Sequence, residues 1–221
     1  MKRKTQIHFD LLSNARDSIR QTVNLLAWPE ESESVRAEHS RLKHAIMFSA
    51  HSIELLLKEK LRHVNPAFVW ENVDKYPSLG ARTVTVDTAI SRLKNICGIN
   101  FSATDESNLK SLRSTRNAIE HYEWKTTERE AKVIVGTALS FAFSFANEHL
   151  NVDLAKPFKE DDTLKQLLSE LWEFAHAHGE RLEAQLSRQG VFTFCCDECG
   201  WSTVTSSGSC ELCGHWQDVA E

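Results

Sequence analysis

The sequence predicts a mainly α protein: an antiparallel helical bundle, a long helix after it, and a small four-cysteine module at the end. Three observations carry this. Only 8 Gly and 4 Pro occur among the 221 residues, so the chain has few places to turn. Apolar residues recur at helical spacing over most of the first 150 positions. Four cysteines fall into two C-x-x-C pairs close to the C-terminus.

The elements follow in order. Ile7, Leu11, Ala15, Ile19 and Val23 are spaced by four, one face of a helix that Pro29 ends. A second helix is expected over about 34–64, its apolar face running from Val35 through Leu42, Ile46, Ile53 and Leu57 to Leu61, with Asn65-Pro66 as its stop. Residues 67–86 have no clean period, and Thr83-Val84-Thr85-Val86 reads as briefly extended with no evident partner. Asp87 is expected to cap a short helix through Ile96, closed by Gly98. Thr104, Asp105 and Glu106 open another, with Leu109, Leu112 and Ile119 on its buried side.

Thr127 and Glu130 have capping-box spacing and begin a helix to about residue 150. Phe141, Phe143 and Phe145 make it apolar nearly all round, which places it centrally. The expected domains are a bundle over 1–156, a connecting amphipathic helix over 157–189, and a cysteine module over 190–221. In the connecting helix Leu164, Leu168, Leu171, Ala175, His178 and Leu182 alternate at four and three. Such a seam serves either as a face packed on the bundle or as a contact between two copies.

Charge is unevenly spread. Residues 190–221 carry no Lys or Arg and 5 acidic side chains, and residues 158–189 carry 4 basic and 7 acidic. Residues 1–157 carry 22 basic and 19 acidic, so any nucleic-acid contact is expected there. No apolar run approaches the roughly 18 residues of a membrane span. The basic start lacks the apolar stretch of a secretory signal, and a cytoplasmic location is expected.

The tail reads Cys196-Asp197-Glu198-Cys199-Gly200 and, with ten residues between Cys199 and Cys210, Cys210-Glu211-Leu212-Cys213-Gly214. Two residues between thiolates let both sulfurs reach one tetrahedral ion, and the following glycine permits the positive φ of a tight knuckle. Short strands are expected over 191–194 and 202–205. The pattern resembles a zinc ribbon, with Cys196, Cys199, Cys210 and Cys213 as ligands of one structural zinc. Disulfides or a redox pair are the competing reading, and persistent disulfides are disfavoured in a reducing compartment. Cys195 is read as a strand residue and Cys97 as a core residue.

The segment from Leu112 to Tyr122 carries the most chemistry. Arg113, Asn117 and His121 recur every four residues on one helix face, and Arg116 lies about 140° round from His121 at 100° per residue. Arginine offers a fork of donors for phosphate, and histidine exchanges protons near neutral pH. Read alone, an Arg and a His on a polar helix face belong more often to solvent than to a site.

Arg116-Asn117-x-x-x-His121, following a helix that contains His51-Ser52-Ile53-Glu54-Leu55-Leu56-Leu57-Lys58, resembles the HEPN superfamily over about residues 7–150. The resemblance implies a helical bundle acting as a metal-independent endoribonuclease in toxin–antitoxin, phage-defence or RNA-processing systems. It further implies a homodimer whose two motifs build one cleft. Arg116, Asn117 and His121 would be the catalytic residues. A HEPN module that binds RNA, a nucleotide or a protein partner without cutting remains the alternative, with the tail docking a partner or antitoxin. Family toxins that carry a modifiable Tyr have it two residues after the His. Here Glu123 stands at that place, and Glu54 reads as a charge at the edge of its amphipathic helix.

Overall fold

The computed structural model describes residues 7–29 and 34–219. The basic start therefore lies outside the described residues. Eight α-helices are present among those described, with no continuous strand.

Helix α1 (Leu11–Ala27) starts where Asp10 and Ser13 cap each other reciprocally, at 2.7 and 2.8 Å. Ile7 therefore precedes the helix and is exposed, while Ala15, Ile19 and Val23 are buried. Helix α2 (Val35–Val64) is capped by Ser34 and ends at Asn65. It packs along α1 and also against α5. Its apolar face is buried from Leu42 onward, whereas Val35 in the first turn is exposed.

Residues 66–85 form two short 3₁₀ turns closed by a single antiparallel bridge between Trp70 and Thr83. The extended segment around Thr83 thus has its partner in residues 69–71, with Val84 N donating to Val69 O at 2.9 Å. Arg92 staples this excursion by donating to the carbonyls of Phe68, Trp70 and Glu71 at 2.6–2.8 Å.

Helix α3 (Val86–Cys97) is capped by Thr85, not by Asp87: the Thr85 hydroxyl accepts from Thr88 N at 3.3 Å. Val86 is consequently helical, and Asp87 is left in the first turn, free to pair elsewhere. Gly98 closes the helix at φ +67°. Helix α4 (Ala103–His121) begins one residue before Thr104, with Ser102 as cap. Its Asp105 reaches across to Arg181 of the last helix at 2.6 Å. Burial works against the Asp105 charge, but hydrogen bonds from Arg181 and Ser102 prevail and hold its carboxyl below the ordinary range.

Helix α5 (Glu128–Leu150) has the expected Thr127–Glu130 capping box. Every residue over 138–146 is buried. Phe141 and Phe145 stack with Phe101, and Phe143 stacks with Phe158 and meets Phe174 edge-on. Helix α5 is the axis of the core.

The single helix expected over 157–189 is three: α6 (Lys156–Glu160), α7 (Thr163–Glu170) and α8 (Trp172–Arg188). The breaks fall at Asp162, at φ +60°, and at Leu171, at φ −122° and ψ 80°. Bending lets Phe158, Leu164, Leu167, Leu171 and Phe174 all enter the apolar core that α1–α5 build. Burying five such side chains, at about 1.5–3 kcal/mol each, outweighs the few backbone bonds lost at two breaks. The seam residues are thus used within the chain. Gly136 permits the close crossing of α5 and α8, because a Cβ there would lie 2.7 Å from Phe174 N.

Residues 190–219 form the cysteine module, which has its own small core. Its expected strands shrink to isolated bridges, Phe194 with Val204, Val204 with Cys210 and Ser209 with Trp216. Two knuckles so close together leave too little extended backbone for a ladder.

Candidate functional site

The largest cleft described, about 740 Å³, lies between α2, the start of α3 and α4. Its floor is apolar, with Ile53, Val84, Leu109 and Leu112. Its polar rim comes from α4, because Arg113, Arg116, Asn117 and Glu120 project on neighbouring turns. Arg113 pairs with Asp87 across the cleft mouth. Arg116 Nη1 donates to Asn117 Oδ1 at 3.3 Å.

Arg116 and His121 are brought together through Glu120. Arg116 Nε lies 3.0 Å from Glu120 Oε2, and His121 Nε2 lies 3.6 Å from the same oxygen. The helix does not fray before His121; it ends there, and Tyr122 turns away in extended backbone with its amide still bonded to Ala118 O. His121 does not line the cleft wall. It stands at the helix end with its side chain 63% exposed, beside a still more open Tyr122. Glu54 lines the cleft opposite α4, where it pairs with the buried Lys58. Lys58 Nζ also donates to Thr83 Oγ1 at 2.9 Å, which ties α2 to the Trp70–Thr83 excursion.

The second centre is the cysteine cluster. The sulfurs of Cys196, Cys199, Cys210 and Cys213 lie within 4.8 Å of one another and can hold a metal ion. Cys196 and Cys213 are 3.7 Å apart, as are Cys199 and Cys210. Each pair closes a tight turn in which the following glycine donates back to the first cysteine, Gly200 to Cys196 O and Gly214 to Cys210 O, both at 2.9 Å. Gly200 and Gly214 take φ of +73° and +78°, which only glycine adopts without strain. Backbone amides point at sulfur: Cys213 N to Cys210 Sγ and His215 N to Cys213 Sγ, both at 3.4 Å. Cys195 stands outside this group, exposed and directed at Gly200 O.

The module is fastened to the helices at several points. Trp201 covers Gly179 so closely that a Cβ there would lie 2.4 Å from the indole ring. Ser202 N donates to Glu183 Oε1 at 2.7 Å, and Lys159 Nζ donates to Glu211 O at 2.6 Å.

No family model matches the chain, and no curated protein or solved structure is significantly similar to it. Among the described residues, no helix is long and apolar enough to cross a membrane.

Sequence reasoning missed Glu120, Asp87 as a partner of Arg113, and the docking role of Gly179. A signal existed for the first: Arg116 and Glu120 have the i, i+4 spacing of a helix ion pair. None existed for the other two, since each depends on a residue brought in from a separate helix or loop.

Proposed function

We propose that this chain is a metal-independent endoribonuclease of the HEPN type, working as a homodimer and carrying a structural zinc in its cysteine module. One observation carries the reading: a guanidinium and an imidazole both lie within 3.6 Å of one carboxylate oxygen, Glu120 Oε2, at the rim of the largest cleft. That oxygen marks a place that the guanidinium holds and the imidazole borders. A non-bridging phosphate oxygen displacing it meets Arg116 and His121 together.

The chemistry follows from those two groups. His121 takes the proton from the ribose 2′-hydroxyl, whose oxygen attacks the adjacent phosphorus, or protonates the departing 5′-oxygen. In a dimer the two histidines can share these roles. Arg116 stabilises the extra negative charge on the phosphorane, and Asn117 orients the guanidinium or the substrate. The P–O5′ bond breaks, leaving a 2′,3′-cyclic phosphate and a 5′-hydroxyl.

Zinc is supported by the donor set. A tetrahedral ion bonded to four sulfurs at about 2.3 Å requires sulfurs about 3.8 Å apart, and two of the pairs stand at 3.7 Å. Four protein thiolates leave no position for water, so the ion would support structure only. Six unpaired cysteines suit a reducing, cytoplasmic setting.

The test is cleavage of single-stranded RNA by purified protein in magnesium-free buffer with EDTA. Cleavage is expected, with cyclic-phosphate products, and His121→Ala or Arg116→Ala abolishes it. A requirement for added magnesium, or full activity in both variants, overturns the reading. The second reading, RNA or protein binding without turnover, is favoured by the fact that Arg116 and Arg113 are both already paired with carboxylates. RNA retention without products would select it. Loss of dimerisation in the same variants would instead assign the motif a structural role, with the acidic tail left to dock a partner or antitoxin.

A further inference from the structure

The bundle has a second cleft on the other side of the His121–Tyr122 turn, and its chemistry differs from the first. It measures about 560 Å³ and lies between the N-terminal half of α2, the 122–127 connection and the start of α5. Its floor is apolar, with Leu42 and Ala131 buried beneath it. Trp124 forms a wall, half-buried and packed against the bundle core. Arg36, His39 and Lys43 line it from α2.

Charge distinguishes the two clefts. Around the first, Arg113, Arg116 and Lys58 are each tied to a carboxylate. Around the second, neither Arg36 nor Lys43 has an ion-pair partner among the described residues. The one acidic lining residue, Glu128, is held by Lys132. Among the described residues, Arg36 and Lys43 thus stand beside Trp124 without an ion pair, while Lys125 of the same cleft pairs with Glu123 at 2.9 Å.

The two clefts draw on neighbouring turns of one helix. Lys43 lines the second and Met47 the first, one turn apart on the same face of α2, about 6 Å along its axis. In sequence, His121 is followed within three residues by Trp124. Proteins that hold single-stranded nucleic acid combine a positive groove for the backbone with an aromatic face for a base. Both parts are present here, beside the motif and outside it.

We propose that the Trp124 cleft is a binding subsite for single-stranded RNA, in which one base stacks on the Trp124 indole and Arg36 and Lys43 take neighbouring phosphates. This rests on the reading of the α4 motif as an RNA site, and extends it by a subsite one step along the strand. A nucleotide held there fixes the register of the strand over His121. Arg36, Lys43 and Trp124 are positioning residues, remote from the reacting atoms.

The experiment uses the full chain and a fluorescent 12-nucleotide 2′-O-methyl RNA, which cannot be cleaved by 2′-hydroxyl attack. Anisotropy is measured between about 50 and 200 mM salt, the range over which phosphate contacts register. Trp124→Ala is expected to weaken binding about tenfold or more, and Trp124→Phe to retain most of it. Arg36→Gln with Lys43→Gln is expected to lower the slope of log K against log salt by about 0.7 per lost phosphate contact. Should Trp124→Ala fail to fold, the charge pair and Trp124→Phe decide alone. Unchanged affinity and slope overturn the proposal, including the case in which the cleft serves an acidic peptide.

The two readings fail separately. If unmodified RNA is never cut but these variants lose affinity as stated, the nuclease reading falls and the subsite stands. If RNA is cut and the variants raise neither KM for the 12-mer nor its Kd, the subsite falls alone.

Discussion

At the end of α4 Glu120 Oε2 pairs with Arg116 at 3.0 Å and lies 3.6 Å from the exposed His121 imidazole. With Arg116 40% and Glu120 26% exposed, this pair is worth little to stability. Its consequence is for binding, because the carboxylate competes with any phosphate for the guanidinium. Glu120→Gln is expected to tighten binding of a non-cleavable RNA by about two- to fivefold, the size of a half-exposed ion pair; weaker binding would contradict the role given to Arg116. Gly179 offers a sharper test. In an ordinary helix interior, Gly→Ala stabilises by up to about 1 kcal/mol. Here the added methyl collides with the Trp201 ring, so Gly179→Ala should instead cost about 1–3 kcal/mol, read as a lowered melting temperature and a red shift of indole emission. Both features involve a neighbour whose presence periodicity cannot report. The i, i+4 spacing of Arg116 and Glu120 was legible, but that His121 leans to the same oxygen was not.

Among the elements, α5 and α8 carry the strongest coupling between the bundle and the rest of the chain. His178 sits on α8 between Phe143 and Phe174, fully enclosed, with its Nδ1 lacking a hydrogen-bond partner. Burial, reinforced by Lys159 and Arg181, lowers its pKa to about 3. The unfolded chain, in which a histidine titrates near its ordinary 6.5, therefore takes up a proton first as pH falls. Stability attributable to this residue is present above about pH 6.5 and drains away between there and about pH 3, at about 1.4 kcal/mol per pH unit. Denaturant unfolding at pH 7 and pH 5 should show His178→Leu losing less stability on acidification than the wild-type chain. Acid effects at the cysteines are common to both proteins and cancel in that comparison; equal losses would refute the assignment. The capping box of α5 and the Gly98 stop of α3 were readable locally, because each is completed within four residues. The division of 157–189 into α6, α7 and α8 was not, because its heptad-like seam is as good a pattern for one straight helix as for three bent ones.

For the whole molecule, the separation of two cores sets what would depend on a metal held by the four cysteines. The helical core runs from Ala15 to Phe174 without using the cysteine module, whose own cluster joins Cys196, Val204, Cys210, Leu212 and Cys213. Removing the ion with a strong chelator, or substituting Cys199→Ser, should leave helical circular dichroism nearly intact while residues 190–219 become protease-sensitive and Trp201 reddens. Cooperative loss of the helices together with the tail would show that the module is integral to the bundle.

What the sequence by itself determined are the features written in adjacent residues: helical content, the Thr127–Glu130 capping box and the Gly98 stop, the central position of α5, and the four cysteines that can share an ion. Their information is local, since a cap, a period or a knuckle is complete within a turn or two of chain. Only the tertiary structure decided which residues meet across elements: Asp87 with Arg113, Asp105 with Arg181, Trp201 over Gly179, and the two clefts flanking His121. Those meetings are set by how the chain bends to bury its apolar side chains against α5, a long-range optimum of packing that leaves no trace in the spacing of the residues it brings together.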